Sequence, residues 1–239
     1  MSAQAQAILS ELAVVALERE LRRTDPALGT AVVAIKRYQQ ERFAHTYADL
    51  LASDRYAAAS RFFLDELYGP KDFTARDTQF ARVVPGLVRL FPRELVQTVT
   101  LLARLHALSE TLDTAMARCA DASRVDRATY VRAWQSVGRP DAREEQIRLT
   151  LSVGADLDRL TRKPLLRTSL HMMRGPARAA GLAALQQFLE SGFDTFKAME
   201  GAATFLAIVG ERERALASAL FGCDRNSPDG HDTLLGQLP

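Results

Sequence analysis

His106, Ser109 and Asp113 stand at i, i+3 and i+7 of one long helical pattern. Projected at 100° per residue over 93–119, Leu95, Leu102, Leu105, Leu108, Leu112 and Met116 form a broad apolar face. The three polar residues lie along one stripe of that face, and Glu110 falls outside it. A polar group left unpaired there would cost about 1–3 kcal/mol. The stripe therefore either lines a buried pocket, with His106 as proton carrier or metal ligand, or bonds to neighbouring helices. A helix expected over 141–162 turns Gln146 and Thr150 inward beside Val153 and Leu157. These two either line the same pocket or bond helix to helix. Gly154, on that helix, removes a side chain and lets a neighbour come close.

The densest basic region offers a different chemistry. Arg162, Lys163, Arg167, Arg174 and Arg178 follow one another closely, and Arg174-Gly175-Pro176 precedes a helix start. Free N–H groups and the helix dipole attract anions at such a point. Arg162, Arg167, Arg174 and Arg178 are thus anion-binding candidates. The plainer reading is a solvated face with ion pairs to Glu144, Asp156 or Glu190. Aromatic residues are sparse here, so base stacking has little support and nucleic acid is not an expected partner.

Metal and nucleophile signatures are missing. There is no Glu-x-x-His, HxxxH or HExxH, and Glu41 and His45 alone make a weak ligand face. With 4 histidines, one of them (His231) near the C-terminus, a multi-histidine metal site is not expected. A single axial histidine needs only one His and an apolar cavity, so haem on His106 stands as the alternative. No GxSxG, P-loop or GxGxxG occurs. Neither Cys119 nor Cys223 has a His or Lys nearby to activate it. No catalytic residues are assigned, and the balance leans away from an enzyme.

The elements that must position these groups are helices. The 239 residues are 47 % hydrophobic and 25 % charged, which excludes a disordered chain, a collagen and a membrane protein. Lys plus Arg is 31 against 29 for Asp plus Glu, too balanced for a DNA-coating protein. The 2 cysteines show no CxxC or zinc spacing and fit a reducing compartment. The apolar run Leu12 to Leu17 has Glu11, Glu18 and Glu20 around it and no basic segment before it, unlike a signal peptide. A cytoplasmic protein that does not engage a membrane is expected. Ala, Leu, Arg, Glu and Gln abound and the period is 3.6 throughout.

Breakers set the expected boundaries. Helices are predicted at 3–22, 26–45, 54–68, 75–83, 93–119, 127–136, 141–162, 164–173, 176–191 and 196–221. Asp25-Pro26 caps the second. Tyr68-Gly69-Pro70-Lys71-Asp72-Phe73 forms a structural corner. Thr74 to Asp77 reads as a capping box with Asp in the Glu/Gln place. Pro85-Gly86 interrupts. The aromatic cluster Phe62, Phe63, Tyr68, Phe73 and Phe80 is core packing. The expectation is all-α: a single multi-helix globular domain of about nine to ten helices over 1–221, with a disordered tail at 222–239.

Two stretches carry a resemblance. One is Arg61-Phe-Phe-Leu-Asp-Glu-Leu-Tyr-Gly-Pro-Lys-Asp-Phe73, followed by Arg76-Asp77 and Val84-Pro-Gly-Leu-Val-Arg-Leu-Phe-Pro92. The other is Leu189-Glu-Ser-Gly-Phe-Asp-Thr-Phe196 with Ala203-Thr-Phe-Leu206 and Glu211-Arg-Glu213. Together they resemble a family of all-helical bacterial proteins with no assigned activity, over about residues 30–221. That resemblance implies a helical fold and transfers no functional residues. Phe62-Phe63 to Leu67-Tyr68 and Pro85 to Pro92 also resemble bacterial globins. The loop at 69–84 and the lack of a histidine in 125–145 depart from that pattern, which fits a haem-free globin-like sensor better than a haem protein. The functional expectation is a non-catalytic regulatory module that binds a protein partner or a small apolar ligand. The alternative is a haem- or metal-binding protein using His106. Oligomeric state is left open.

Overall fold

The Asp25 carboxylate accepts a hydrogen bond from the Leu28 backbone N–H at 3.1 Å, and Pro26 takes the first helical position. A cap and a proline thus coincide where the chain turns between its first two helices. Ser2 and Asp126 cap two other helices in the same way, through the N–H groups of Ala5 and Thr129. The computed structural model describes residues 2–66, 70, 73–120, 124–222, 235 and 238–239.

The helices are α1 (Ala3–Thr24), α2 (Pro26–Thr46), α3 (Ala48–Leu51), α4 (Ala57–Glu66), α5 (Thr74–Leu90) and α6 (Arg93–Ala120). They continue with α7 (Arg127–Val137), α8 (Pro140–Thr161), α9 (Pro164–Met172), α10 (Arg174–Ala179), α11 (Ala183–Ala198) and α12 (Ala203–Gly222). Of these, α3 and α10 are single turns of 4 and 6 residues, and the other ten match the expected count. No strand occurs among the described residues, which form one helical domain.

The 28-residue α6 is the axis. It packs against α1, α2, α5, α7 and α8. One apolar cluster joins α1, α5 and α6 through Ile8, Leu12, Val84, Val96 and Ala103. A second joins α2, α6, α7 and α12 through Ile35, Tyr38, Met116, Tyr130 and Leu220. A third, around Phe43, Phe63, Phe196 and Phe205, joins α2 and α4 to α11 and α12.

Several boundaries differ from the sequence expectation. Pro85 lies inside α5 and does not break it. An interior proline costs about 3 kcal/mol. Phe80, Ala81 and Val84 on one side and Leu87 and Val88 on the other all pack on the α1–α6 cluster, and that packing holds the helix through the lost hydrogen bond. Gly192 also lies inside a helix. A Cβ there would meet Phe62 Cζ at 3.1 Å, so this glycine gives α11 a close approach to α4 and marks no boundary. The break falls instead at Glu200 and Gly201, with φ of 52° and 117°. The capping box also differs, because Phe73 is the N-cap of α5 without a side-chain cap bond and Asp77 faces other helices.

Phe62 and Phe63 are core residues, as expected, and Phe62 stacks on Phe188 with centroids 5.7 Å apart. Tyr68, Gly69, Lys71 and Asp72 of the expected corner lie outside the described residues, as do Cys223, His231 and most of the expected tail. The tail's described residues are not free of the fold. Leu235 and Leu238 are buried in the second cluster, and the Tyr38 hydroxyl donates to the Pro239 carbonyl at 3.2 Å.

Candidate functional site

Because α6 packs against five helices, polar groups on more than one of its sides meet partners. Glu110, read as outside the inward stripe, is only 4 % exposed. It lies between α1 and α2, ion-paired to Arg22 and, at 2.6 Å, to Lys36 Nζ. Arg22 Nη2 also donates to the Glu110 carbonyl at 2.8 Å and to Thr114 Oγ1 at 2.7 Å. Burial pushes the Glu110 carboxyl up, but the charges of Lys36 and Arg22 and their hydrogen bonds outweigh it and hold the group at about 2. One turn on, Asp113 is buried, accepts from Gln39 Nε2 at 3.1 Å and lies 3.8 Å from Lys36 Nζ. Burial pushes its carboxyl above the usual range, with Lys36 opposing and Glu110 reinforcing.

His106 leaves the other side of α6. Its Nε2 is 2.7 Å from Asp77 Oδ2, and Arg19 Nη2 reaches the same oxygen at 2.6 Å. Arg76 Nε contacts the other carboxylate oxygen at 3.3 Å, and its guanidinium stacks over Phe73 at 4.0 Å and Phe188 at 4.5 Å. Burial works to raise the Asp77 carboxyl, but the His106 hydrogen bond and the charges of His106, Arg76 and Arg19 hold it at about 2. This half-buried clasp joins α1, α5 and α6. Substituting His106→Ala should lower stability by about 1 kcal/mol above pH 5, read as a lower urea midpoint. A carboxyl held low in the fold contributes stability above its unfolded value and loses it as pH falls through the folded one. The gap between variant and wild type should therefore close as pH falls towards 2.

Ser109 and Gln146 do meet: Gln146 Nε2 donates to Ser109 Oγ at 2.9 Å across α6 and α8. Gln146 Oε1 accepts from Arg143 Nη1 at 3.1 Å, and Arg143 lies 3.8 Å over the Trp134 ring. Arg143 Nη2 also reaches Met116 Sδ at 2.9 Å. On the facing helices Arg42 pairs with Glu213, which also accepts from the Tyr47 hydroxyl at 2.8 Å. Arg42, Arg143, Gln146, Thr150 and Glu213 line a cleft of about 30 Å³ between α2, α7, α8 and α12. That is room for about two waters, far below the roughly 300 Å³ of a ligand pocket. Thr150 also turns its hydroxyl back onto the Gln146 carbonyl at 2.9 Å. His106, Ser109 and Asp113 do not line this cleft.

Sequence reasoning missed Arg42, Arg143 and Glu213, although each carried a signal. Arg42 continues the stripe of Ile35, Tyr38 and Gln39, Arg143 precedes Gln146 and Thr150 by three and seven, and Glu213 stands between Val209 and Leu216.

The basic residues lie on the outer surface. Arg162 pairs with Asp158 at 2.6 Å, Arg167 with Asp194 at 3.1 Å and Arg174 with Glu190 at 2.7 Å. Arg178 is exposed. Among the described residues no group of three or more His, Cys, Asp or Glu is placed to hold a metal ion. His106 Nε2 is 2.7 Å from Asp77 Oδ2, and His106 does not line the cleft. No described helix is long and apolar enough to cross a membrane.

A family model described as a domain of unknown function (DUF8198) matches residues 18–227, spanning both stretches that carried the resemblance. No curated protein and no solved structure matches the chain.

Proposed function

The chain belongs to the DUF8198 family of domains of unknown function, and we propose that it is a non-catalytic helical module that binds a protein partner through its outer surface. One observation carries this reading. The three polar groups of the α6 stripe are each bonded to another helix: His106 to Asp77, Ser109 to Gln146, and Asp113 to Gln39. Their bonding capacity fixes helix against helix, which favours a rigid scaffold over a reacting centre. A small apolar ligand is the weaker option, because the cleft is lined by Arg42, Arg143 and Glu213 and has a volume of only about 30 Å³.

Photo-crosslinking in the protein's own cells tests this. A photoreactive residue would replace, one at a time, the exposed Leu17, Val33, Phe91, Leu165 and Leu189. The expected result is a discrete adduct with one protein at some positions, unchanged when Gln146→Leu disrupts the cleft. No adduct at any position, or a co-purifying small molecule lost with Gln146→Leu, would overturn the reading.

A further inference from the structure

We propose that the surface formed by α9 and α10 docks an acidic amphipathic helix of a partner protein. This rests on the binding-module reading and gives it a place and a chemistry. Between Asp158 and Glu190 the chain has no acidic residue, while Arg159, Arg162, Lys163, Arg167, Arg174 and Arg178 fall within it. The same stretch carries the most exposed large apolar side chains on these helices. Leu165 is 78 % exposed, Met172 68 % and Met173 49 %. Leu165 and Met172 are seven residues apart on one nine-residue helix, so they share a face. Leu166 and Leu170, the inward side of the same helix, are half-buried. The neighbouring α11 adds Leu189 at 41 % exposure. A scattered exposed leucine means nothing, but several large apolar groups set among exposed cations mark a binding surface.

The charge arrangement specifies the occupant. Asp158 and Glu190 have side chains 16 % and 15 % exposed, whereas their partners Arg162 and Arg174 are 68 % and 49 % exposed. The carboxylates sit beneath and the guanidinium groups project outward. Exposed acids enter only at the rim, as Glu94 beside Lys163 and Asp194 beside Arg167. At Arg162, Arg174 and the exposed Arg178 an incoming carboxylate therefore meets a cation before it meets like charge. Flexible Met172 and Met173 suit the apolar stripe of a helix, because unbranched thioether side chains adapt to varied partners. A bilayer surface fits less well: α9 and α10 have no Trp, Phe or Tyr to seat in a lipid interface. The same lack of aromatics removes base stacking on single-stranded RNA.

The probe is a fluorescein-labelled synthetic helix with Leu at i, i+3, i+4 and i+7 and Glu elsewhere, titrated with the full chain by anisotropy. Binding should weaken at least tenfold for a scrambled peptide of the same composition. It should also weaken as salt rises. The double variants Leu165→Ser/Met172→Ser and Arg167→Glu/Arg178→Glu should each lose at least tenfold while keeping the wild-type thermal midpoint. Equal binding of the scrambled peptide, no binding, or unchanged binding by both variants would overturn the proposal. So would variant-sensitive co-sedimentation with phosphatidylserine vesicles, or a variant-sensitive dimer in sedimentation velocity. A crosslinked partner at Leu17 or Val33 with no peptide binding here would sink this proposal alone. The absence of any crosslinked partner would sink the module reading beneath it.

Discussion

Replacing Glu110 with alanine is expected to lower stability by about 3–5 kcal/mol, because removing one member of a buried ion pair strands the other charges. Arg22 and Lys36 both end on this carboxylate, and both side chains are largely buried. The carboxyl held at about 2 gives an independent measure. Against an unfolded value near 4.3, that shift corresponds to about 3 kcal/mol. The sign follows from the depressed folded value: the contribution is complete above about pH 5 and is lost as pH falls towards 2. Urea unfolding at pH 7 and at steps down to pH 2.5 would read both quantities. Wild type should lose most of its margin over that range, and Glu110→Gln should flatten the loss. Asp113→Asn is the control with opposite sign. Its carboxyl is pushed up, so ionisation costs the fold stability as pH rises through its folded value. The amide can still accept from Gln39. A Glu110→Ala variant as stable as wild type at pH 7 would mean that the Arg22 and Lys36 side chains find solvent freely, and the central ion cluster would not exist.

The difference between what the chain revealed in advance and what it concealed has a physical cause. Local rules act over three or four residues, and they worked where nothing distant opposed them. Asp25-Pro26 is a case of that kind. Pro85 and Gly192 look the same locally as true breakers. Only the α1–α6 cluster against one and the Phe62 ring against the other carry the helix through. Glu110 was hidden for a related reason. A projection finds the most apolar side of a helix, which serves when only one side is buried, but α6 packs against five helices. Its acidic side needed Arg22, 88 residues away, and Lys36, 74 residues away, before burial made sense. His106 and Ser109 were legible as inward-leaning, but not their division between α5 and α8. That division sends groups three residues apart on α6 to different neighbours.

Gly154, by contrast, was readable from sequence as a place of close helix approach, and it supports a second sizeable prediction. A Cβ at Gly154 would lie 2.5 Å from Leu206 Cδ2, and a Cβ at Gly210 would lie 2.9 Å from Leu151 Cδ1. Each of α8 and α12 thus drops a leucine into the other's glycine, a reciprocal notch that fixes their separation. The cleft lies along the same pair of helices, between Thr150 on one and Val209 on the other. A larger side chain at 154 should wedge them apart. Gly154→Val is expected to cost about 2–3 kcal/mol through overpacking. Gly154→Ala should come out near neutral, since about 1 kcal/mol of helix propensity offsets a small shift of the half-buried Leu206. Shortening the opposing side chain should then rescue: Gly154→Val with Leu206→Ala should lose at least about 1 kcal/mol less than the two single losses added. The double-mutant cycle, read by urea unfolding with unchanged slope, separates this contact from a backbone effect. Additive losses would show that Gly154 matters for the conformation of α8 itself and that Leu206 is not what the notch accommodates.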